Sequence, residues 1–398
     1  MNESELKTMR TSFEKMNERR LELIKNPRTK KLQERVKKIR QESVDNMEKL
    51  LELSQKSFFE NDIDFFIAED DNKALKIIYD IIKDEKIVSK SKSNTVGEIG
   101  LSKFLKDKKI DLIETDLGDR IVQLKPDDKR PAHPIGPALH LDMEKITEII
   151  SESLGKSLEP EPRIIMELVR ANVLEELAKC SVGITGANSV AAEDGSLIMA
   201  HNEGNISLLT LMKTHIVVVG IDKLVPTIED AISVVKLETV YATGTNIPSY
   251  INIISAPSKT ADIEKRLLKG MYGAQKVVVI LLDNGRRKAI KECLWCIGCG
   301  SCIVSCPVYN VVGHDFGYRG YLGGRGVAMS KFLQDEKTSF DSGLYMCTLC
   351  GLCTLECPVS TPTPDIMEKI RIASQKAGFY PEAHEKIKKN IKSSGKPF

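Results

Sequence analysis

Nine of the ten cysteines lie between residues 293 and 357. The first run reads Cys293-Leu-Trp-Cys296-Ile-Gly-Cys299-Gly-Ser-Cys302-Ile-Val-Ser-Cys306-Pro307. After about 40 residues a second reads Cys347-Thr-Leu-Cys350-Gly-Leu-Cys353-Thr-Leu-Glu-Cys357-Pro358. With Cys293 set aside, both have the spacing C-x2-C-x2-C-x3-C-P. Three cysteines at three-residue steps sit on one tight loop and converge. The fourth, held before a proline, points away from that loop. Thiolates are soft ligands, so the chemistry on offer is that of a bound metal.

The doubled spacing is that of bacterial ferredoxins with two [4Fe–4S] clusters, where the fourth cysteine of each run ligates the other cluster. It assigns Cys296, Cys299, Cys302 and Cys357 to cluster one. Cys347, Cys350, Cys353 and Cys306 go to cluster two. Gly298, Gly300, Ser301 and Gly351 suit a backbone that wraps a cluster closely, with glycine free to take positive φ. Zinc sites use pairs of C-x2-C or mixed Cys/His sets, which this pattern does not match. Disulfides belong to oxidising compartments, and nothing here points to secretion. Cys293 is surplus and is expected to be a free thiol packed near cluster one, with a shifted register as the alternative. Cys180 stands alone and is expected to be a buried structural residue.

A chain of 398 residues with 41% hydrophobic content has room for two or three domains and a sizeable core. Its 58 basic and 56 acidic residues leave a formal net charge of +2, which gives no global field for nucleic acid. The longest apolar runs are near ten residues, too short to span a bilayer. The N-terminus, Met1-Asn-Glu-Ser-Glu-Leu-Lys, lacks a signal-peptide core. These features together lead us to expect a cytoplasmic protein with reduced thiols.

The elements that must position the cysteines come before them. Residues 1–59 are expected to form a helical arm. Leu6, Met9, Phe13, Met16 and Leu23 stripe one helix over 3–25, and Asn26-Pro27 breaks it. Leu32, Val36, Ile39, Met47 and Leu51 stripe a second over Arg28–Gln55, with Val44 beside the interrupting Ser43. Its charged faces read as solvated, with a partner-docking arm as the alternative. Residues 60–290 alternate helix and strand and predict one α/β domain. Helices are expected at Ala74–Lys83, from a cap at Asn94 or Thr95 through Phe104, at Met143–Leu154, at Arg163–Ala178 and near Thr227–Val235. Strands are expected at Ile87–Ser91, Ile110–Asp116, Ile121–Leu124 and Val182–Thr185. His215–Ile221, Tyr250–Ser255 and Val277–Leu282 are apolar with little alternation, as in strands buried on both faces. A short link from Asp283-Asn-Gly-Arg-Arg to Cys293 sets cluster one at the carboxyl edge of the sheet, where such folds bind ligands. Residues 291–372 form the cluster domain and 373–398 a helical tail.

The chain resembles the lactate-utilization iron–sulfur protein family (LutB type), which joins a LUD domain to two ferredoxin-type motifs. The stretches that carry the resemblance are Val88-Ser-Lys-Ser-Lys-Ser, Glu98-Ile-Gly-Leu, Glu114-Thr-Asp-Leu-Gly, Val182-Gly-Ile-Thr-Gly-Ala-Asn, Glu193-Asp-Gly-Ser, Asn202-Glu-Gly-Asn, Lys213-Thr-His, Leu282-Asp-Asn-Gly-Arg and Cys306-Pro-Val-Tyr with Gly313-His. The resemblance implies an α/β LUD domain of the isomerase/CoA-transferase type, followed by a small α-helical two-cluster domain. It implies a subunit of a multi-protein oxidoreductase that, in the family's best-known form, oxidises L-lactate to pyruvate. The tail from His384 resembles that of heterodisulfide-reductase-like iron–sulfur subunits, where it precedes a cysteine-rich CCG domain. It implies a separate CCG-domain iron–sulfur partner, and a second LUD-domain protein is a further partner of this family.

Two clusters on opposed loops would form a two-step electron wire tuned by hydrogen bonds to sulfur and by exposure. The glycine-rich stretch Gly313–Gly326 would supply backbone donors or a docking loop. Lys90, Lys92, His133, Asn188, Glu193, Asn202, Glu203, Asn284 and Arg286 sit at predicted strand ends and turns. There the lysines and arginine could clamp a small carboxylate. The plain alternative is turn chemistry. His201 and His215 are expected to be structural. No G-x-G-x-x-G follows a strand, so no nicotinamide or flavin fingerprint is present. Three functions remain open: electron transfer in 2-hydroxy-acid oxidation, electron transfer for a thiol/disulfide or ferredoxin-linked couple, or a redox-sensing binding protein.

Overall fold

The structure is a computed structural model and describes residues 1–127 and 129–398. Helices α1 (Glu3–Lys25), α2 (Pro27–Asp45) and α3 (Met47–Glu60) open the chain. Asn2 and Glu5 close a capping box on α1, and Asn26 caps α2, whose first residue Pro27 needs no donor. The single second helix expected over Arg28–Gln55 is divided at Asn46, which leaves helical geometry at φ −106°.

The α/β domain contains α4 (Asp71–Ile82), α5 (Asn94–Glu98), α6 (Leu101–Asp107), α7 (Leu117–Leu124), α8 (Met143–Leu154), α9 (Pro162–Leu177), α10 (Asn205–Thr210) and α11 (Ile228–Thr243). Its strands are β1 (Asp64–Ala68), β2 (Ile87–Lys90), β3 (Asp111–Glu114), β4 (Val182–Thr185), β5 (Ser189–Ala191), β6 (Leu197–His201), β7 (Thr214–Gly220), β8 (Leu224–Val225), β9 (Tyr250–Ile254), β10 (Lys259–Thr260), β11 (Leu268–Lys269) and β12 (Lys276–Leu282). One all-parallel sheet has the order β1-β12-β7-β4-β2-β3. Alternate residues of its central strands feed two cores. Ile216, Val218, Val278 and Ile280 pack under α4, α5 and α6. Val217, Val219, Val277 and Val279 pack against Leu50, Leu51 and Phe58 of α3 and against a smaller sheet, β8-β5-β6-β9. That two-sided burial explains the continuous apolar runs at β7 and β12.

Three expectations change here. Ile121–Leu124 is not a strand but the end of α7, because Asp116 accepts the Asp119 N–H and caps a helix. Ser93, rather than Asn94 or Thr95, caps α5, and Gly100 at φ 71° separates α5 from α6. The strand at Tyr250–Ile254 is not buried on both faces but lies at the edge of the smaller sheet, with Tyr250 and Ile253 exposed.

The cysteine domain comprises α12 (Lys291–Leu294), α13 (Ser301–Val304), α14 (Tyr309–Val312), the hairpin β13 (Gly317–Tyr318) and β14 (Tyr321–Leu322), α15 (Gly323–Leu333), α16 (Glu336–Asp341), α17 (Leu352–Leu355) and α18 (Thr363–Lys376). Helix α18 runs past residue 372, and α19 (Glu382–Ser394) that follows buries no residue. The charged face of α2 is largely exposed, as expected, while the apolar stripes of the arm dock on the rest of the chain. Met9 and Phe13 are buried with Ile303 and Tyr309 of the cysteine domain, and Val36 and Ile39 are buried with Val234 and Leu237 of α11.

Buried charge locks the two domains together. Arg286, just past β12, is 3% exposed. It grips Glu98 of α5 with two parallel bonds of 2.7 and 2.9 Å, and its Nε donates to Asp222 at 2.5 Å. Tyr321 of β14 joins both Arg286 and the Glu98 carboxylate. Burial alone would weaken the guanidinium's hold on its proton, but Glu98, Tyr321 and Asp222 more than reverse this. Removing one member of such a network strands charge in the interior at a cost of about 3–5 kcal/mol. Arg286→Ala is therefore expected to lower unfolding stability by about that amount in denaturant titrations. A loss under about 1 kcal/mol, the range of an exposed pair, would contradict this role.

Candidate functional site

The cysteine loops form from short helices separated by left-handed residues. Gly298, Gly300 and Gly351 have φ of 88°, 76° and 78°. At Gly300 a side chain would also collide with the His133 ring. Each cysteine preceding a proline has a backbone donor. Tyr309 N–H reaches Cys306 Sγ at 3.5 Å and Thr361 N–H reaches Cys357 Sγ at 3.4 Å. Gly298 N–H lies 3.4 Å from Cys296 Sγ.

The sulfurs fall into two sets. Burial pushes the Cys299 thiol up to about 12, and the Cys357 and Cys296 sulfurs add to it. Burial also raises Cys302, reinforced by Cys296, Cys299 and Cys357 and, from the neighbouring set, by Cys353. In the other set, burial raises Cys353, with Cys347, Cys306 and Cys350 contributing. Cys306 likewise feels burial and then Cys347 and Cys350. The fold thus brings the fourth cysteine of each run to the other run's loop. Four soft sulfurs whose charges repel one another unless cations come between them suit a cationic metal group. Among the described residues no three Cys, His, Asp or Glu converge as a site for a single ion. Sulfurs that each meet a different iron of a cubane have no need to. Cys293 is fully buried beside this site, its thiol pushed up to about 12 by burial. Cys180 is only half-buried, contrary to expectation, and its thiol donates to Glu176 O at 3.4 Å.

The nine residues expected around a ligand do not gather in one place. Lys92, Asn188, Asn202 and Glu203 share a crevice of about 190 Å³ with Asp116, His201, Asn205 and Glu238. It opens between the carboxyl ends of β2 and β4. From β2 the chain runs outward to β3, and from β4 it runs the other way to β7 and β12. This reversal marks the usual ligand position in an open parallel sheet. Lys90 and His133 line a larger neighbouring groove of about 630 Å³ that Lys92 also borders. Glu193 is exposed and accepts the Ile228 N–H at the start of α11. Asn284 and Arg286 are taken up by Glu98 in the network between domains.

The expected carboxylate clamp is absent. Lys90 is paired to Glu114 at 2.6 Å, and Lys92 to Asp116 and the Ile135 carbonyl, both at 2.7 Å. Around the crevice Asp116, Glu203 and Glu238 outnumber the one lysine. His133 is neutral, pushed down to about 4 by burial, and its Nδ1 accepts from Ile135 and Gly136. His201 stacks on Tyr250 and lines the crevice, while His215 is buried against Thr185 as a structural residue.

Glu238 is the residue that sequence reasoning missed. It is 8% exposed, accepts from Asn188 at 3.0 Å, and a Cβ on Gly298 would lie 3.4 Å from its Oε1. Its signal was an acid four residues after Val234 and three before Tyr241, on an apolar helix stripe. Helix α11 therefore walls the crevice on one side and seats the Cys296–Cys302 loop on the other. Ser301 Oγ also donates to Tyr241 O at 3.0 Å. The glycine-rich stretch Gly313–Gly326 is instead a hairpin and the start of α15, packed against the α/β domain through Tyr321.

Burial pushes the Glu238 carboxyl up to about 7 from an ordinary 4.5. The folded protein then binds more protons here than the unfolded chain between those values, so stability falls as pH rises through them. Relative to wild type, Glu238→Gln is expected to gain stability between pH 5 and pH 8, by about 1–3 kcal/mol in denaturant titrations. A difference that stays flat with pH would contradict the buried carboxyl.

Residues 51–282 match the LUD domain family, and residues 292–361 match the 4Fe-4S dicluster domain family. Lactate utilization protein B of Macrococcus caseolyticus is 33% identical over 362 residues, covering 89% of this chain and 74% of that protein. Lactate utilization protein B of Lysinibacillus sphaericus is 35% identical over 315 residues, covering 77% and 64%. The uncharacterized electron transport protein YkgF of Escherichia coli is 30% identical over 361 residues, covering 89% and 74%. The chain thus spans 64% to 74% of the length of these relatives. A solved DUF162 family protein from Deinococcus radiodurans aligns at TM-score 0.30 and 12% identity, over 59% of this chain and 98% of that one.

Proposed function

The chain belongs to the LUD-domain family, joining that domain to a 4Fe-4S dicluster domain, and from this premise we propose that it is the iron–sulfur electron-transfer subunit of a multi-subunit oxidoreductase. The reaction we assign to the complex is 2-hydroxy-acid oxidation, L-lactate to pyruvate. This rests on the relatives called lactate utilization protein B. The observation that carries the reading is the shared helix. Through α11 a ligand crevice at the sheet's reversal point backs directly onto the first cysteine loop.

On this reading Cys296, Cys299, Cys302 and Cys357 hold one [4Fe–4S] cluster, and Cys306, Cys347, Cys350 and Cys353 hold the second. Held by these residues, each cluster would supply one-electron transfer. The chain's own residues set the path. The first set is enclosed against α11 by Ile297 and Val359, while Cys350 of the second is exposed for a partner. The partners we assign are a CCG-domain iron–sulfur protein and a second LUD-domain protein. No described helix is long and apolar enough to cross a membrane, and we place the complex in the cytoplasm.

Among the described residues the crevice has carboxylates in excess and its one lysine is paired with Asp116, so it is poorly suited to hold a substrate carboxylate unaided. We therefore place the oxidation of the hydroxy acid at the complex rather than within this chain alone. In an anaerobic assay, the loaded protein mixed with L-lactate and both partner subunits is expected to lose its visible iron–sulfur absorbance. The same protein with lactate alone is expected to stay oxidised. Bleaching by dithionite but never by lactate plus partners would reject the lactate assignment.

A further inference from the structure

Four consecutive carbonyls lead into the first cysteine loop, those of Cys293, Leu294, Trp295 and Cys296, and each accepts from a cationic side chain. Arg325 of α15 donates to Cys293 O through Nε at 3.0 Å and Nη2 at 2.8 Å. Arg40 of α2 donates to Leu294 O at 2.6 Å and to Trp295 O at 3.2 Å. Lys223, in the turn between β7 and β8, donates to Cys296 O at 3.2 Å. The three cations come from the arm, the α/β domain and the cysteine domain, and they meet on one stretch of backbone.

Such convergence is costly unless something negative repays it. Arg40 is 1% exposed, and arginine does not shed its proton in proteins. The nearby carboxylate of Asp222 is already bound by Arg286. Arg40 also donates to the Asp222 carbonyl at 2.5 Å, which adds no counter-charge. Asp222 also acts on Arg40, Lys223 and Arg325, but with Glu98 it leaves two carboxylates against four cations including Arg286, and the excess positive charge lies beside the Cys296 sulfur, whose field acts on both Arg40 and Arg325. The second set of cysteines differs. Arg371 donates to Cys347 O at 2.5 Å and to Leu344 O at 3.1 Å, and Cys350 is open to solvent.

We propose that Arg40, Arg325 and Lys223 are a cationic collar that raises the reduction potential of the group held by Cys296, Cys299, Cys302 and Cys357. The proposal rests on the reading that both cysteine sets hold clusters. Reduction adds one negative charge to a group held by one buried and three half-buried cysteines, and partial burial in low dielectric opposes that. Fixed cations a few ångströms away favour the reduced state and offset the burial. The second group, open to solvent at Cys350, gains part of the same help from water and has Arg371 alone on its loop backbone. The collar thereby keeps the enclosed end of the wire reducible, on the side that faces the crevice.

The test is an EPR-monitored redox titration of the anaerobically reconstituted full chain, preceded by an iron and sulfide count. Lys223→Gln and Arg325→Gln are each expected to lower one midpoint potential and leave the other in place. Arg325→Lys keeps the charge and is expected to fall between wild type and Arg325→Gln. Arg371→Gln is expected to move the other midpoint. The partly exposed Lys223 side chain makes Lys223→Gln the variant least able to perturb folding. If a loaded protein shows both midpoints unmoved in Lys223→Gln, or Arg325→Lys shifts as far as Arg325→Gln, the collar is overturned alone. A wild type that takes up no iron and sulfide overturns the cluster reading, and the collar with it.

Discussion

A buried guanidinium must find carboxylates: Arg286 pairs with Glu98 and Asp222 inside the α/β domain, and Tyr321 of the cysteine domain joins that network, which fixes how the two domains meet. Arg286 follows the last strand of the parallel sheet, Glu98 lies in the helix after β2, and Asp222 follows β7. All three come from the carboxyl edge of the sheet. Tyr321, from the cysteine domain, completes the set. The domain junction is therefore a wired contact and not a flexible linker. The arm extends the same logic. Arg20, 2% exposed, holds Glu356 at 2.6 Å and lies 3.5 Å from Ser305, one residue before each of the proline-flanked cysteines. It ties the ends of the two short helices α13 and α17 to α1.

That rigidity gives the crevice and the first cysteine loop a fixed relation. They share α11, whose residues alternate between the two. Thr239 lines the crevice, Leu237 and Tyr241 pack with Ile297 and Cys299, and Glu238 and Ala242 meet both sides. Anything bound in the crevice lies one helix away from the first sulfur set. The charge balance differs sharply across that helix. Carboxylates dominate on the crevice side, and cations converge on the backbone of the loop side.

Much of this was legible in the sequence, for physical reasons that differ by residue. Thiolate spacing follows from cluster geometry, so the two local runs alone carry the expectation of crossed sets ending at Cys306 and Cys357. Strands buried on both faces announce themselves as apolar runs, as at β7 and β12. Long-range charge pairing has no such local signature. Lys90, Lys92 and Arg286 looked like a clamp for an anion, but their partners Glu114, Asp116 and Glu98 come from elements brought together only by the fold. Helix α7 was misread because Ile121 and Val122 satisfy a strand pattern, while Asp116 decides the matter through a cap. The role of the arm was hidden because Arg20 and Arg40 look like surface charges until their partners are in place.

The central claim is that two crossed sets of four cysteines hold two clusters side by side. The most direct measurement is an anaerobic iron and sulfide count on the reconstituted chain, joined to EPR of the dithionite-reduced protein. The account predicts about eight irons and eight sulfides per chain, with two S = 1/2 signals broadened by mutual interaction. About four irons with one isolated signal, or zinc in place of iron, would contradict it.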